Sequence, residues 1–283
     1  MEMRVPLKKK VTLPITALVV AFFALVLLAA LAAVTPFYPE ASGDKVATGK
    51  SITLDYSHAD QGYVMIKHKG TKKALMVQFT LGKVKVKSYM RGDGEYDVFP
   101  LSYGSGKYKI EVFEQVKGKK YTQLLSQTVN AKIEDEFSPF VMPNRFTNYT
   151  AESAAVAKAN ELFTGLTEDK DKINAAWEYL KANMVYDYVK AATIQGTPDY
   201  APVVDDILKA GKGICFDYSA LFGTMLRSHG IPTQMIFGYL KAAGNKQYHA
   251  WSNVYLDGEW RLMDSTFAMQ AYPDNLYAPT QVN

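Results

Sequence analysis

The stretch GKGICFDYSALFGTMLRSHGIP, residues 211–232, carries the strongest structural signal in the chain. Two glycines precede Cys215, and the apolar residues behind it recur at helical spacing until Gly230 and Pro232. The pattern predicts a helix that begins at Cys215. Backbone N–H groups without partners and the positive end of the helix dipole stabilise a thiolate at such a position.

Residues 249–264 predict two strands joined by a tight turn. Asp257-Gly258 is a favoured two-residue hairpin turn, and apolar and polar residues alternate on both sides of it. With this turn, Asp264 becomes the diagonal neighbour of His249 on the same face of the hairpin. A carboxylate and an imidazole can meet across that spacing.

Cys215, His249 and Asp264 together supply what thiol catalysis requires. The carboxylate fixes the imidazole tautomer and holds the ring charged, and the imidazolium pairs with the thiolate. The sulfur then attacks a carboxamide, and backbone N–H groups at the helix start meet the developing oxyanion. Each residue alone is more often structural, the cysteine as a small buried hydrophobe. It is their conjunction that predicts a nucleophile, a base and an orienting group.

Helical spacing also dominates upstream of this segment. One helix is predicted over residues 151–163 with Thr150 as its cap, and a second over residues 168–184. A short helix lies between Pro202 and Gly211, and residues 186–200 are interpreted as a loop.

The preceding region has the period-two pattern of half-buried strands. Residues 51–133 alternate apolar and polar positions between glycine turns and predict a small antiparallel β-sandwich domain. Residues 35–50 and 134–150 are predicted linkers, and residues 151–283 form the predicted chemistry-bearing domain. The fold class is therefore α+β.

Three lysines followed by an apolar run mark the N-terminus. The 24 residues from Val11 to Val34 would span about 36 Å as a helix, enough for a membrane core of about 30 Å. Residues 1–34 are thus predicted to be a transmembrane anchor, with the rest of the chain expected outside the cytoplasm. A cleaved signal peptide is the alternative, because small alanines end the run. In both cases we expect the rest of the chain to be exported, where it is either held at the cell membrane or secreted.

The composition excludes several classes of protein. Hydrophobic residues make up 48% and aromatic residues 13%, so the bulk of the chain is not disordered. The N-terminal segment supplies three of the four net positive charges. The rest of the chain therefore lacks the excess of positive charge that is typical of nucleic-acid-binding proteins. Cys215 is the single cysteine, which excludes an internal disulfide and a zinc site built on several thiolates.

Three motifs resemble the transglutaminase-like superfamily, whose core is of the papain type. They are GICFDYS around Cys215, HAWSNVY from His249 and DST from Asp264, with GIP between the first two. All occur in the family's order, and their conjunction is specific although each motif alone is not. The resemblance covers residues 151–267, under half of the chain.

The resemblance implies acyl transfer from a glutamine carboxamide or a peptide bond to an amine or water. Cys215 would be the nucleophile, His249 the general base and acid, and Asp264 the orienting group. Tyr186 is the candidate for the side-chain oxyanion donor that members often carry upstream of the cysteine. No acidic loop has calcium-binding spacing, so no calcium dependence, metal or other cofactor is expected.

Two functions of different classes follow from these observations. The first is a membrane-tethered thiol enzyme that acts on protein or cell-wall peptide amides by cross-linking, deamidation or proteolysis. Aromatic residues such as Trp251 could line a tunnel that excludes water and binds substrate. The second is a binding or assembly module that keeps the fold without catalysis. The lone exported thiol favours the enzyme, because it is an oxidation liability that a structural role would not require.

Overall fold

Alternating apolar residues in the first half of the protein form two four-stranded antiparallel sheets. The computed structural model describes residues 37–194, 200–242, 245–267 and 276–283, so the segment predicted at residues 1–34 lies outside it. The strands are β1 (Val46–Thr48), β2 (Ile52–Asp55), β3 (Tyr63–His68), β4 (Leu75–Leu81), β5 (Val84–Met90), β6 (Asp97–Pro100), β7 (Gly106–Lys117) and β8 (Lys120–Ala131). The strand orders are β1-β2-β3-β6 and β5-β4-β7-β8.

Both sheets contribute to one hydrophobic cluster. Leu54 and Ile66 come from the first sheet, Val77 and Ile110 come from the second, and all four are fully buried. The alternation of apolar and polar positions thus places one row of side chains from each sheet in a shared core. That this region is a separate sandwich domain stays a prediction.

The segment predicted as a linker at residues 134–150 contributes several buried side chains. Phe140, Met142, Thr147 and Tyr149 are each at most 5% exposed. Contacts join residues 36–283 into one compact unit. The segment therefore packs against its neighbours within this unit along much of its length.

Five helices follow among the described residues. They are α1 (Ala154–Leu162), α2 (Asp169–Asn183), α3 (Tyr188–Ile194), α4 (Val204–Ala210) and α5 (Cys215–Arg227). The helix α1 begins three residues later than predicted, because Ser153 takes the N-cap position and holds an extended backbone. The loop predicted at residues 186–200 is wrong over α3. This helix has no buried residue, so it lacks the apolar periodicity by which a helix is found in sequence.

Helix α5 lies at the centre of the second core. All but one of its residues are buried, and its apolar side chains contact α1, α2 and α4 as well as an antiparallel sheet. That sheet has the order β13-β12-β11-β14, formed by β11 (Thr233–Ala242), β12 (Asn245–Leu256), β13 (Glu259–Met263) and β14 (Tyr277–Val282). Within the part of the chain that the structure describes, no helix combines the length and apolar character needed to cross a bilayer.

The hairpin of β12 and β13 has the predicted register. Leu256 pairs with Glu259, and the ladder continues to Ser252 and Met263. Asp257 and Gly258 both have positive φ, as a type I′ turn requires. The strand β13 ends one residue earlier than predicted, and a 3₁₀ turn at Ser265–Phe267 follows. Asp264 therefore lies at the junction of strand and turn rather than within the ladder.

Candidate active site

The thiol of Cys215 lies at the first residue of α5 and lines a cavity. Its side chain is 6% exposed. Just upstream, the short strand β10 (Lys212–Gly213) pairs in parallel with β9 (Val185–Tyr186), and Gly213 stands opposite Tyr186. A Cβ at Gly213 would lie 2.5 Å from the Cβ of Asp217. Glycine is thus required for the chain to pass this close to the first turn of the helix.

The predicted base and orienting group are in direct contact. The Nε2 atom of His249 lies 2.6 Å from Oδ2 of Asp264, and both residues are buried. Asp264 also accepts a hydrogen bond of 2.8 Å from the hydroxyl of Tyr277 and one of 3.1 Å from the backbone N–H of Thr266. Both carboxylate oxygens are therefore engaged, which fixes the orientation of the group that faces the imidazole.

The ring of His249 also binds Cys215. Burial of the ring disfavours its charged form, but hydrogen bonds to Asp264 and Cys215 and the negative charges of both groups raise the pKa of His249 to about 9. Since Nε2 is bound to Asp264, the nitrogen left for the sulfur is Nδ1. The structure thus brings the three predicted side chains together, with a cationic imidazole between sulfur and carboxylate near neutral pH.

A cavity of about 800 Å³ opens onto the sulfur. Aromatic side chains form a substantial part of its described wall, and Phe216 stacks on Phe237 with ring centroids 4.8 Å apart. Lys87, Ser88 and Tyr89 of β5 also line it. The volume falls in the range of about 300–1,000 Å³ that is usual for small-ligand sites. The second of the two N-terminal sheets therefore supplies part of the wall around the thiol.

Tyr186 and Trp251 occupy different environments. Tyr186 lines the cavity, and burial together with the nearby charge of Cys215 raises its pKa to about 12, so its phenol stays a hydrogen-bond donor. Trp251 is 2% exposed, and its ring stacks on that of His249 at 6.2 Å between centroids. It is not among the described residues that line the cavity. The oxyanion role of Tyr186 and the substrate role of Trp251 stay predictions.

An ion pair between a buried carboxylate and a partly exposed lysine lies at the first turn of α5. Asp217 is fully buried; its Oδ2 accepts the backbone N–H of Ile214 at 2.9 Å and contacts Nζ of Lys190 at 2.6 Å. The hydroxyl of Tyr200 donates to the other oxygen. These contacts tie α3 and residue 200 to the start of α5. Among the described residues, no three or more His, Cys, Asp or Glu side chains form a group that could hold a metal.

Sequence reasoning missed Tyr277, Lys190 and Tyr200. Tyr277 reaches Asp264 because β14 joins the edge of the sheet beside β11, and no local pattern links the two positions. Lys190 is found only once α3 is recognised as a helix. A weak signal for it exists in Asp187, whose carboxylate accepts the backbone N–H of Lys190 at 2.9 Å in the manner of a helix cap.

Replacing Asp264 with asparagine is expected to lower the pKa of His249 well below 9, because the charge that stabilises the imidazolium is removed. The pKa of His249 in the folded protein lies above the ordinary value of about 6.5, so the charged ring stabilises the fold below pH 6.5. This stabilisation is lost as the pH rises through about 9. Wild-type protein should therefore lose free energy of unfolding between these limits, and the variant should lose less. NMR titration of the imidazole and urea unfolding at several pH values measure both effects.

The matched control is Asp257→Asn in the exposed hairpin turn, where asparagine also accepts positive φ. This variant should titrate like wild type. A midpoint near 9 in the Asp264 variant would show that the carboxylate does not hold the imidazole charged.

Comparison with known proteins matches residues 156–265 to the transglutaminase-like superfamily. Kyphoscoliosis peptidase of Homo sapiens is 30% identical over 131 residues, which are 42% of this chain and 19% of that protein. The Bacillus subtilis protein YebA, described as uncharacterized, is 28% identical over 188 residues, 59% of this chain and 22% of its own length. The chain thus spans about a fifth of the length of these relatives.

A solved structure described as a candidate cysteine protease of Cytophaga hutchinsonii aligns over 83% of this chain and 78% of its own, at 15% identity and a TM-score of 0.46. The family match itself spans Cys215, His249 and Asp264 in the predicted order. Residues 156–265 are thus similar to the transglutaminase-like superfamily, and this match covers the part of the chain that carries the candidate site.

Proposed function

We propose that this protein is an extracytoplasmic thiol enzyme that acts on glutamine carboxamides or peptide amides through a thioacyl intermediate. The observation that carries the proposal is the contact of His249 with both Cys215 and Asp264 beside a cavity onto which the sulfur opens. A purely structural cysteine needs neither a charged imidazole nor an open cavity. The match of residues 156–265 to the transglutaminase-like superfamily supports the same class of chemistry.

The proposed reaction starts from the thiolate and imidazolium pair. The sulfur of Cys215 attacks the amide carbon, and the negative charge that forms on the carbonyl oxygen is met by backbone N–H groups at the start of α5 and by the phenol of Tyr186. The imidazolium of His249 gives its proton to the leaving nitrogen, so ammonia or an amine departs. The neutral imidazole then takes a proton from the incoming amine or water, which attacks the thioester and releases Cys215.

Asp264 acts on this reaction through His249. Its carboxylate holds Nε2 and leaves Nδ1 for the sulfur, and Tyr277 holds the carboxylate in turn. Because the orientation of the imidazole is fixed in advance, little reorganisation is needed as charge moves between sulfur and ring.

The location and the role of the N-terminal parts belong to the same proposal. Residues 1–34 anchor the chain in the membrane or serve as an export signal, and residues 51–133 form a sandwich domain that guides substrate. The contribution of β5 to the cavity wall supports the guiding role. The substrates are proteins or cell-wall peptides outside the cytoplasm.

The test uses the full chain in detergent micelles with a library of glutamine-containing peptides and a labelled primary amine. Mass spectrometry separates amine adducts, deamidated peptides and cleaved peptides, which distinguishes the three reactions. We expect at least one product class in wild type and none with Cys215→Ala, provided that both proteins have the same thermal unfolding midpoint. If no product depends on Cys215, the fold serves as a binding or assembly module and the proposed function is wrong.

A further inference from the structure

The charged side chains on the wall of the cavity are all cationic among the residues that the structure describes. Lys87, Arg145 and Lys246 contribute to the wall, and no aspartate or glutamate does. They come from three separate parts of the chain: strand β5, the segment before α1 and strand β12. Unrelated elements thus converge with one sign of charge, and the described part of the cavity wall is electropositive.

The three cations differ in how their charge is compensated. The guanidinium of Arg145 lies 4.0 Å from a carboxylate oxygen of Asp97, which is also bound by Arg91. Within the described parts of the chain, neither Lys87 nor Lys246 has an ion-pair partner. The ammonium of Lys246 lies 4.0 Å from the ring centroid of Tyr239, which orients it without neutralising it. Two lysines at the cavity wall thus have no ion-pair partner among the described residues.

A second observation concerns the hairpin that carries Lys246. Lys241 and Lys246 stand directly opposite each other on β11 and β12. Like charges at paired positions of antiparallel strands repel each other and weaken the pairing. This cost is relieved when an anion lies beside the pair, as it would with an acidic group in the neighbouring cavity.

The aromatic wall strengthens the effect of these charges. Clefts lined by one sign of charge and by walls of low polarity focus the electric field and raise the local concentration of oppositely charged ligands. Two described carboxylates near the nucleophile are already engaged: Asp217 pairs with Lys190, and Asp264 pairs with His249. The positive potential is therefore directed at whatever enters the cavity.

We infer that the cavity takes an acidic peptide segment, in which an aspartate or glutamate side chain flanks the amide that is presented to Cys215. The inference rests on the proposed function, which identifies the reacting amide. It adds that the residues flanking this amide are negatively charged. A peptide with lysine in the flanking position is disfavoured by the same potential.

The first test measures the cavity charge without requiring turnover. Cys215 of the full chain is alkylated with iodoacetate, which is anionic, and with iodoacetamide, which is neutral. The ratio of the two rate constants should fall about fourfold at low salt in the double variant Lys87→Gln with Lys246→Gln. The difference should shrink in 1 M salt, where charges are screened within about 3 Å.

The matched control is Lys83→Gln with Lys120→Gln, which removes the same charge from two exposed lysines outside the cavity wall. Its ratio should stay within the error of wild type. An unchanged ratio in the cavity variant overturns the inference, whether or not the protein is active as an enzyme.

The second test measures peptide choice. Peptides that differ only in a glutamate, glutamine or lysine beside the reactive glutamine are compared for protection of Cys215 against iodoacetamide. We expect the glutamate peptide to protect at about tenfold lower concentration than the lysine peptide, and this preference to weaken in the cavity variant. Equal protection by all three overturns the inference. Protection by the acidic peptide without any acyl product supports the acidic ligand and instead counts against the proposed function.

Discussion

Replacing His249 with alanine is expected to lower the rate of acyl transfer by about 10⁴-fold or more, because residues that act as one unit in such sites lose most of their effect together. The ring interacts with both Cys215 and Asp264. Its removal takes away the counter-charge of the thiolate and the proton donor for the leaving nitrogen. The initial rate with the peptide substrate and labelled amine measures the loss.

The same variant should also react more slowly with iodoacetamide between pH 6 and 8. In this range the wild-type ring, with a pKa of about 9, is cationic and stabilises the thiolate by charge attraction. The control is His58→Ala, since His58 lies in the first sheet region and stacks on Tyr63 instead. If the His249 variant turned over substrate at the wild-type rate, His249 would not take part in the reaction and the proposed active site would be wrong.

Replacing Arg227 with methionine is expected to lower the free energy of unfolding by about 3–5 kcal/mol, the cost of breaking a buried polar network from one side. The guanidinium is fully buried at the end of α5, where desolvation lowers its pKa to about 10. It donates to the backbone oxygens of Met142, Thr233 and Asn283 at 2.8–3.1 Å and to the hydroxyl of Thr147 at 3.0 Å. Methionine fills similar space but leaves four buried acceptors without these donors.

Urea unfolding measures the change, and Arg261→Met provides the comparison. Arg261 is 45% exposed in its side chain and pairs with Asp257 and Glu259 at the surface, where such pairs contribute at most about 1 kcal/mol. Arg227→Lys should fall between the two, because a single ammonium cannot reach all four acceptors. A loss below about 1 kcal/mol for the methionine variant would mean that water replaces the guanidinium at this position.

Local sequence signals were sufficient to place Cys215, His249 and Asp264. The glycines before Cys215 mark the start of α5, and the Asp257-Gly258 turn sets the register that brings the other two side chains together. Both signals depend on only a few neighbouring residues, so they can be recognised in the sequence without knowledge of the fold. Their chemical roles still rest on the experiments above.

The other residues of the site could not be predicted from local sequence patterns. Tyr277 reaches Asp264 through β14, and Lys190 reaches Asp217 through a helix whose exposed surface lacks apolar periodicity. The wall formed by β5 depends on packing between regions more than 100 residues apart. Such contacts are set by tertiary structure, and no pattern along the chain reports them.

Because β5 forms part of the cavity wall, a change in this strand could alter which substrates the proposed enzyme binds. Lys87 lies on the hairpin of β4 and β5, and the hydrogen bonds described above for the imidazole and the carboxylate come from other elements. Grafting a different hairpin there would alter which molecules are admitted while leaving the bond-making apparatus intact. In the proposed enzyme, the part of the selectivity that β5 supplies would lie in a stretch of polypeptide separate from the reacting residues, so this part could diverge without them.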